Sequence, residues 1–207
     1  MSEKLELWVQ RLNQGNMPIF AHTVQSIAAT ANRDDSSFSE LAWSILQDPG
    51  LTAQVLKLSN SIYYNPSPRR INTVSRALMR LGFETVKEMC LSIALVESVL
   101  PNLHRKKVAL EIARAFHSGV QAKNIATLRK LATPEEIFIA ALLSRIGQIA
   151  FWCFAGDVGD RLELAMQEPN QTEDKAEIEV LGFRLERLTL RLSQGPSLWL
   201  ADLDPFV

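Results

Sequence analysis

The 207-residue sequence is poor in cysteine, glycine and proline, and it has almost no net charge. Its two cysteines, Cys90 and Cys153, lie far apart within apolar runs, so we expect reduced core thiols; a disulfide or a reactive thiol is the alternative. Nine glycines and nine prolines are fewer than usual for this length, which favours long helices. A formal net charge of −1 gives no general attraction to nucleic acid or to anionic membranes.

Signals for export and membrane insertion are also missing. The N-terminus lacks the basic start and apolar core of a signal peptide, and no stretch reaches about 18 uninterrupted apolar residues. The composition, 47% apolar and 22% charged, is that of an ordinary globular protein. We therefore expect a cytoplasmic protein that has neither a membrane nor a nucleic acid as its partner.

Charge is distributed unevenly along the chain. Residues 104–155 carry eight bases and three acids, whereas residues 156–207 carry five bases and eleven acids. Two neighbouring surfaces that partly neutralise each other would explain this pattern. A basic docking face for an acidic partner is the alternative.

Helical periodicity runs along nearly the whole chain, and no segment alternates apolar and polar residues as a strand would. Four sequence signals mark helix starts: capping boxes at Ser37–Glu40 and Thr133–Glu136, Asp48 before Pro49, and Thr73. Gly82 is predicted to end the helix that Thr73 starts. Five further helices are predicted at 84–100, 103–131, 137–154, 160–167 and 173–194. The prediction is a compact all-α domain of about ten helices. One arrangement of these helices would be two packed lobes that meet near residues 101–103.

Common catalytic signatures are absent from the sequence. It has no P-loop, no dinucleotide-binding glycine fingerprint, no Gly-x-Ser-x-Gly and no Cys-x-x-Cys. None of its three histidines has another at helical ligand spacing, and His22 and His104 are predicted to be ordinary surface or helix-end residues. The tryptophans are predicted to be core residues rather than base-stacking platforms: Trp8, Trp43, Trp152 and Trp199.

The segment from Asp48 to Ser61, Asp-Pro-Gly-Leu-Thr-Ala-Gln-Val-Leu-Lys-Leu-Ser-Asn-Ser, resembles the hallmark of the HDOD family. That family is a bacterial signalling domain related to the HD metal-dependent phosphohydrolases. Further matching segments are residues 71–74, 77–82, 117–118, 140–147 and 179–182, so the resemblance extends over about 17–190. The resemblance implies one HD-like helical domain over 1–207. This domain would have a helical extension at 1–16, an N-terminal lobe at 17–101 and a degenerate HD-like lobe at 102–207. The tail at 198–207 would be divergent or shortened.

The resemblance also shows where the metal chemistry of HD enzymes is lost. Those enzymes hold a metal through a His on one helix and a His-Asp pair on another, and the metal activates water. His117 matches the first ligand, but Ser144 and Arg145 replace the pair, and Leu185 stands where the family often has a further His. Serine is a poor ligand at neutral pH and a guanidinium cannot ligate. We therefore predict no metal at this position, no cofactor and no hydrolase activity.

Arg145 allows two interpretations. Its guanidinium forms an ion pair or reaches solvent, with Glu179 and Glu186 as the first candidate partners. Alternatively, it binds a phosphate or carboxylate together with Ser144 and His117. The first interpretation makes Arg145 structural, and the second makes it part of an anion site.

The hallmark residues have a structural interpretation as well. Asp48 and Pro49 start a helix, Asn60 and Ser61 end it, and Gly82 stops the next one, so all five are predicted to shape the backbone. A contact surface for a partner is the alternative. Four leucines are predicted to be buried between helices: Leu56, Leu81, Leu142 and Leu143.

Three functions follow as hypotheses. The first is a non-catalytic signal-transduction domain that acts on an unidentified partner protein. The second is a sensor that binds a nucleotide or another anion in the degenerate pocket. The third is a metal-dependent phosphohydrolase with a rebuilt site, which the lost ligands disfavour.

Overall fold

The helical prediction is confirmed by a computed structural model, which describes residues 3–14, 23, 27, 29, 37–60, 65, 69–86 and 104–194. No strand occurs in these ranges. Ten helices have defined bounds: α1 (Glu3–Gln14), α2 (Phe38–Leu46), α3 (Pro49–Ser59), α4 (Val74–Leu81), α5 (Arg105–Leu128), α6 (Pro134–Leu143), α7 (Ile146–Phe154), α8 (Asp157–Ala165), α9 (Glu173–Leu181) and α10 (Leu185–Gln194).

Helix starts in the N-terminal half follow the predicted capping signals. The Ser37 hydroxyl accepts from the Glu40 amide at 3.2 Å, and the Glu40 carboxylate accepts from the Ser37 amide at 3.3 Å. The Asp48 carboxylate accepts from the Leu51 amide at 3.0 Å. The Thr73 hydroxyl accepts from the first turn of α4, which ends at a glycine with a positive φ, as predicted.

The predicted capping box at Thr133 is wrong, although α6 does begin at Pro134. The Thr133 side chain makes no capping bond. The two acids of this turn reach α4 instead, where the Glu135 carboxylate accepts from the Ser75 amide at 3.1 Å and Glu136 pairs with Arg76 at 3.4 Å. The neighbouring helix therefore competes successfully for these carboxylates.

The helix predicted over residues 137–154 is in fact two helices, α6 and α7, with Ser144 and Arg145 between them. The Ser144 hydroxyl donates to the Ala141 carbonyl at 2.7 Å, which is a local bond that competes with helix continuation. The Gly147 amide, freed at the start of α7, donates to the Thr189 hydroxyl at 3.0 Å. The Thr189 side chain of α10 thus satisfies a backbone amide that the break leaves without a helical partner.

Residues 173–194 are also two helices, because Gly182 takes a left-handed conformation with φ of 81° and ends α9. Such a residue is a common way to stop a helix. The helix predicted at 160–167 begins three residues earlier, at Asp157. The α5 helix is shorter than predicted at both ends.

Two clusters of buried apolar side chains form the core. The first joins α2, α3 and α4 to α6 and the start of α7, and the second joins α1 to α7, α8, α9 and α10. Helix α7 contributes to both, with Ile146 and Ile149 in the first cluster and Phe151 and Trp152 in the second. Through α1, the N-terminal extension packs with the C-terminal helices.

The predicted core leucines are confirmed, since Leu56, Leu81, Leu142 and Leu143 are all buried. Trp152 is buried as predicted. The prediction for Trp43 is wrong, because 45% of it is exposed, and Lys123 Nζ lies 6.0 Å from its ring centroid. Predictions that lie outside the described residues concern Cys90, His22, Ser61, Trp199, the tail at 198–207 and most of the helix at 84–100.

Among the residues that the structure describes, one apolar stretch, Pro134–Phe154, is long enough to cross a membrane by length and composition. It contains the α6–α7 break, and more than half of its most apolar part is buried inside the molecule. Core helices of soluble proteins pass the same composition test. This stretch therefore gives only weak support for a membrane span.

Candidate functional site

The break between α6 and α7 carries the Ser144-Arg145 pair and faces the N-terminal half of α5. Arg145 Nε donates to Glu111 Oε2 at 2.7 Å, and Arg145 Nη2 also contacts this oxygen. Glu111 is 5% exposed, and its other oxygen accepts from Arg114 Nη1 at 2.8 Å. Two guanidinium groups therefore neutralise one buried carboxylate.

The expected partners of Arg145, Glu179 and Glu186, were wrong. Glu179 accepts from the Gln171 side chain at 2.9 Å, and Glu186 lines the neighbouring cavity without pairing with Arg145. Because α5 packs along both α6 and α7, its own acid is the one that reaches the break. No signal in the sequence distinguishes Glu111, since an acid within a helix is normally solvent-exposed.

A cavity of about 400 Å³ opens beside this ion pair. Ser144, Arg145 and Leu185 all line it. His117 is exposed on α5 and is not among the lining residues. The structure thus brings together three of the four residues of the degenerate site and leaves the histidine apart.

Charges of both signs line the cavity. Its four basic side chains are Lys107, Arg114, Arg145 and Arg184, and its five acids are Glu111, Glu173, Asp174, Glu177 and Glu186. Three of the cations have acidic partners, because Arg114 and Arg145 contact Glu111, and Arg184 contacts Asp174 at 3.0 Å. The lining is therefore nearly balanced rather than strongly positive.

Glu177, one of the acids that line the cavity, has a raised pKa. Burial raises the pKa of its carboxyl above the ordinary 4.5, and repulsion from Asp174 and Glu173 acts in the same direction. The Leu185 amide donates to Glu177 Oε2 at 2.8 Å and, with Arg184, lowers the pKa without cancelling the burial effect. This hydrogen bond joins α9 to the start of α10.

The residues at the degenerate position do not fit a catalytic divalent metal. The Ser144 hydroxyl is engaged with a backbone carbonyl, Arg145 is a cation, and Leu185 has an apolar side chain that packs in the second core cluster. Metal centres of this class need deprotonated oxygen or imidazole ligands. Glu111 offers a carboxylate, but two arginines already bind it.

The Asp-Pro to Asn segment has a structural role in the described residues. Asn60 Nδ2 donates to the Leu56 carbonyl at 2.9 Å and to the Ile71 carbonyl at 2.7 Å. Its Oδ1 accepts from the Ile71 amide at 2.7 Å. Asn60 therefore ties the end of α3 to the segment that leads into α4, which agrees with the structural interpretation of the hallmark.

Comparisons with known proteins support the same fold. A family model for the HDOD domain matches residues 17–195. Among solved structures, the MmoQ response regulator from Methylococcus capsulatus is 20% identical with a TM-score of 0.71, covering 89% of this chain and 78% of that one. A virulence factor from Campylobacter jejuni is 22% identical with a TM-score of 0.67, covering 90% and 66%. A search of curated proteins gave no match.

Proposed function

The chain belongs to the HDOD family, and from this premise we propose that it is a non-catalytic regulatory domain that acts through contacts with a partner protein. The observation that carries the proposal is the ion pair between Arg145 and the buried Glu111. In an HD enzyme a His-Asp pair at the positions of Ser144 and Arg145 would hold the metal. Here Arg145 places a structural cation at that position instead.

The ion pair supports a structural role for the former metal position. A buried carboxylate is stable only when it is paired or hydrogen-bonded, and Arg145 pairs with Glu111 together with Arg114. The guanidinium is therefore committed to the protein's own acid. A polarised water molecule or a phosphate at the same place would have to compete with Glu111 for it.

The surface is compatible with partner contacts. Several helices expose large apolar side chains, including Leu128, at 83% exposed, and Met79, at 72% exposed. Single exposed apolar residues are ordinary, so the family and the lost ligand set support the proposal more strongly than these side chains do.

A phosphodiesterase assay with added Mn²⁺ tests the absence of catalysis. We expect no turnover by the wild type or by the Ser144→His/Arg145→Asp double variant, because Leu185 and the distant His117 leave the ligand set incomplete. Thermal unfolding of each protein verifies that it is folded, since the carboxylate introduced by the double substitution would face Glu111. Wild-type turnover that disappears in His117→Ala would contradict the proposal.

A genetic experiment tests the regulatory part. In a strain lacking the gene, His117→Ala should restore the wild-type phenotype as well as the unmodified gene does. Regulation by contact does not need this imidazole. Failure of a stable His117→Ala protein to complement would favour a chemical role.

Ligand sensing is the second candidate, and the cavity is the observation that favours it. Its volume of about 400 Å³ is in the range of small-molecule sites. A nucleotide present at 100 times its dissociation constant would add about 2.7 kcal/mol to stability and raise the Tm. Lys107→Ala should abolish this rise in Tm, whereas Lys106→Ala, a substitution of its exposed neighbour, should not. If no nucleotide changes the Tm of the wild type, the sensing function is contradicted and regulation by protein contact is favoured.

A further inference from the structure

A second group of ligand-bearing side chains lies where α5 begins and α8 passes it. His104, Asp160 and Glu163 each offer one ligand atom, and these atoms lie within 4.8 Å of one another. We propose that these three residues bind a divalent transition metal of the zinc class. This site uses none of the residues of the degenerate HD position, so it does not depend on the proposed function.

His104 is the central residue of the group. It was predicted to be a surface or helix-end residue, and it does stand at the start of α5, but only 3% of its side chain is exposed. Its Nε2 lies 3.1 Å from the Gly156 carbonyl oxygen. Since a carbonyl can only accept, Nε2 is the donor in this bond, and the Nδ1 lone pair is the one that a metal ion could use.

That lone pair faces another acceptor. Glu163 Oε2 lies 3.9 Å from His104 Nδ1, and in the described parts of the chain no donor is recorded between them. Two acceptors that face each other beside a buried ring call for a positive charge between them. A divalent cation supplies that charge and uses both atoms as ligands.

The carboxylates are placed to share one ion. Asp160 and Glu163 are three residues apart on α8, so they project from the same side of the helix. Asp160 Oδ1 lies 3.8 Å from His104 Nε2, so this exposed side chain has to turn toward Nδ1 to share the ion with Glu163. Ligands of a tetrahedral zinc ion are about 3.4 Å apart, so the gap between Nδ1 and Oε2 must close by roughly half an ångström. Both carboxylates are partly exposed and can rotate.

The backbone around His104 is shaped to hold the ring in this orientation. A side chain at Gly159 would overlap His104 Nε2, so only glycine allows α8 to pass so close. Gly156 has a φ of 51°, and its carbonyl accepts from the ring. The ring edge also contacts Trp152, with centroids 5.4 Å apart. A histidine held through its other nitrogen by a backbone carbonyl is the usual arrangement of a metal ligand.

The test is a calorimetric titration of ZnCl₂ into the metal-free full chain. We expect one zinc ion per wild-type chain and an affinity at least about tenfold weaker in Glu163→Gln and in Asp160→Asn. Asp157→Asn is the matched control, because it removes the same charge from an exposed position on the same helix and should bind zinc like the wild type.

Thermal unfolding supplies a second readout with the same proteins. Zinc should raise the Tm of the wild type and of Asp157→Asn, but not that of Glu163→Gln, because an ion that binds only the folded chain stabilises it. Failure of the folded wild type to take up zinc would overturn the proposal. So would equal zinc affinity in the wild type, Glu163→Gln and Asp160→Asn, since the ion would then bind elsewhere.

Discussion

Arg145, at the break between α6 and α7, donates its Nε–H to the buried carboxylate of Glu111 in α5 at 2.7 Å. The bond joins two chain segments that are far apart in sequence, and α5, which carries Glu111, packs against both α6 and α7. Arg145 is about one-third exposed whereas Glu111 is almost fully buried. Removing Arg145 should therefore change the stability of the fold by a different amount than removing Glu111.

Arg145→Ala should lower the free energy of unfolding by about 1–3 kcal/mol. The loss leaves the Glu111 carboxylate buried with Arg114 alone, and the partial exposure of Arg145 keeps the effect below that of a fully buried pair. A Glu111→Leu/Arg145→Met double variant should be more stable than Arg145→Ala, because no buried charge is left. Urea unfolding measures both differences. An Arg145→Ala protein as stable as the wild type would show that the pair contributes nothing.

Asn60→Ala should destabilise the fold by about 2–4 kcal/mol, because three hydrogen bonds of the Asn60 side chain are lost together. Two of them join it to the Ile71 backbone, and the third joins it to the Leu56 carbonyl within α3. Asn72→Ala is the control, since its side chain makes only an exposed bond with Arg76. Thermal unfolding compares the two variants. Equal effects would mean that the hallmark asparagine has no special structural role.

Gly147→Ala should cost about 1–3 kcal/mol, because a methyl group there would overlap the Thr189 backbone and push α7 away from α10. Gly82→Ala is the comparison: nothing lies within 4 Å of its added methyl, and its cost of about 1–3 kcal/mol comes from backbone angles of φ 85° and ψ 155°, which are almost confined to glycine. Chemical unfolding measures both variants against the wild type. A Gly147→Ala protein as stable as the wild type would contradict the close contact.

Glu177→Gln should stabilise the protein at pH 7 more than at pH 4. The folded pKa of Glu177 is raised, so the folded state holds its proton to higher pH than the unfolded state does, and stability falls as pH rises through that window. Glutamine removes the buried charge while its carbonyl can still accept from the Leu185 amide. The Tm of both proteins is measured from pH 4 to pH 7. A Tm difference independent of pH would disprove the assignment.

Local signals in the sequence were sufficient for most helix starts. Ser37, Asp48 and Thr73 bond to amides only three residues away, so their effect is present in the sequence itself. Thr133 shows the limit of this reasoning, because acids from its turn are taken by α4. A capping box predicts a helix start, but a neighbouring helix decides which partners the acids bind.

The break at Ser144 and the partner of Arg145 could not be predicted in the same way. The apolar runs on both sides of Ser144 and Arg145 fit one continuous helix, and neither residue is a glycine or a proline. The Gly147 amide that the break frees is bonded by Thr189 in α10, which is far away in sequence. Glu111 and His104 looked like ordinary residues of a charged helix. Their burial depends on α7 and α8, which dock against α5 only in the folded chain.

Helix α7 belongs to both core clusters, with Ile149 in one and Phe151 in the other. A cut between residues 144 and 145 would leave α7 with the C-terminal fragment, so the first cluster would lose Ile146 and Ile149 and the second would lose the side chains of α1. The domain should therefore melt in a single cooperative transition, with probes in the two halves reporting the same midpoint.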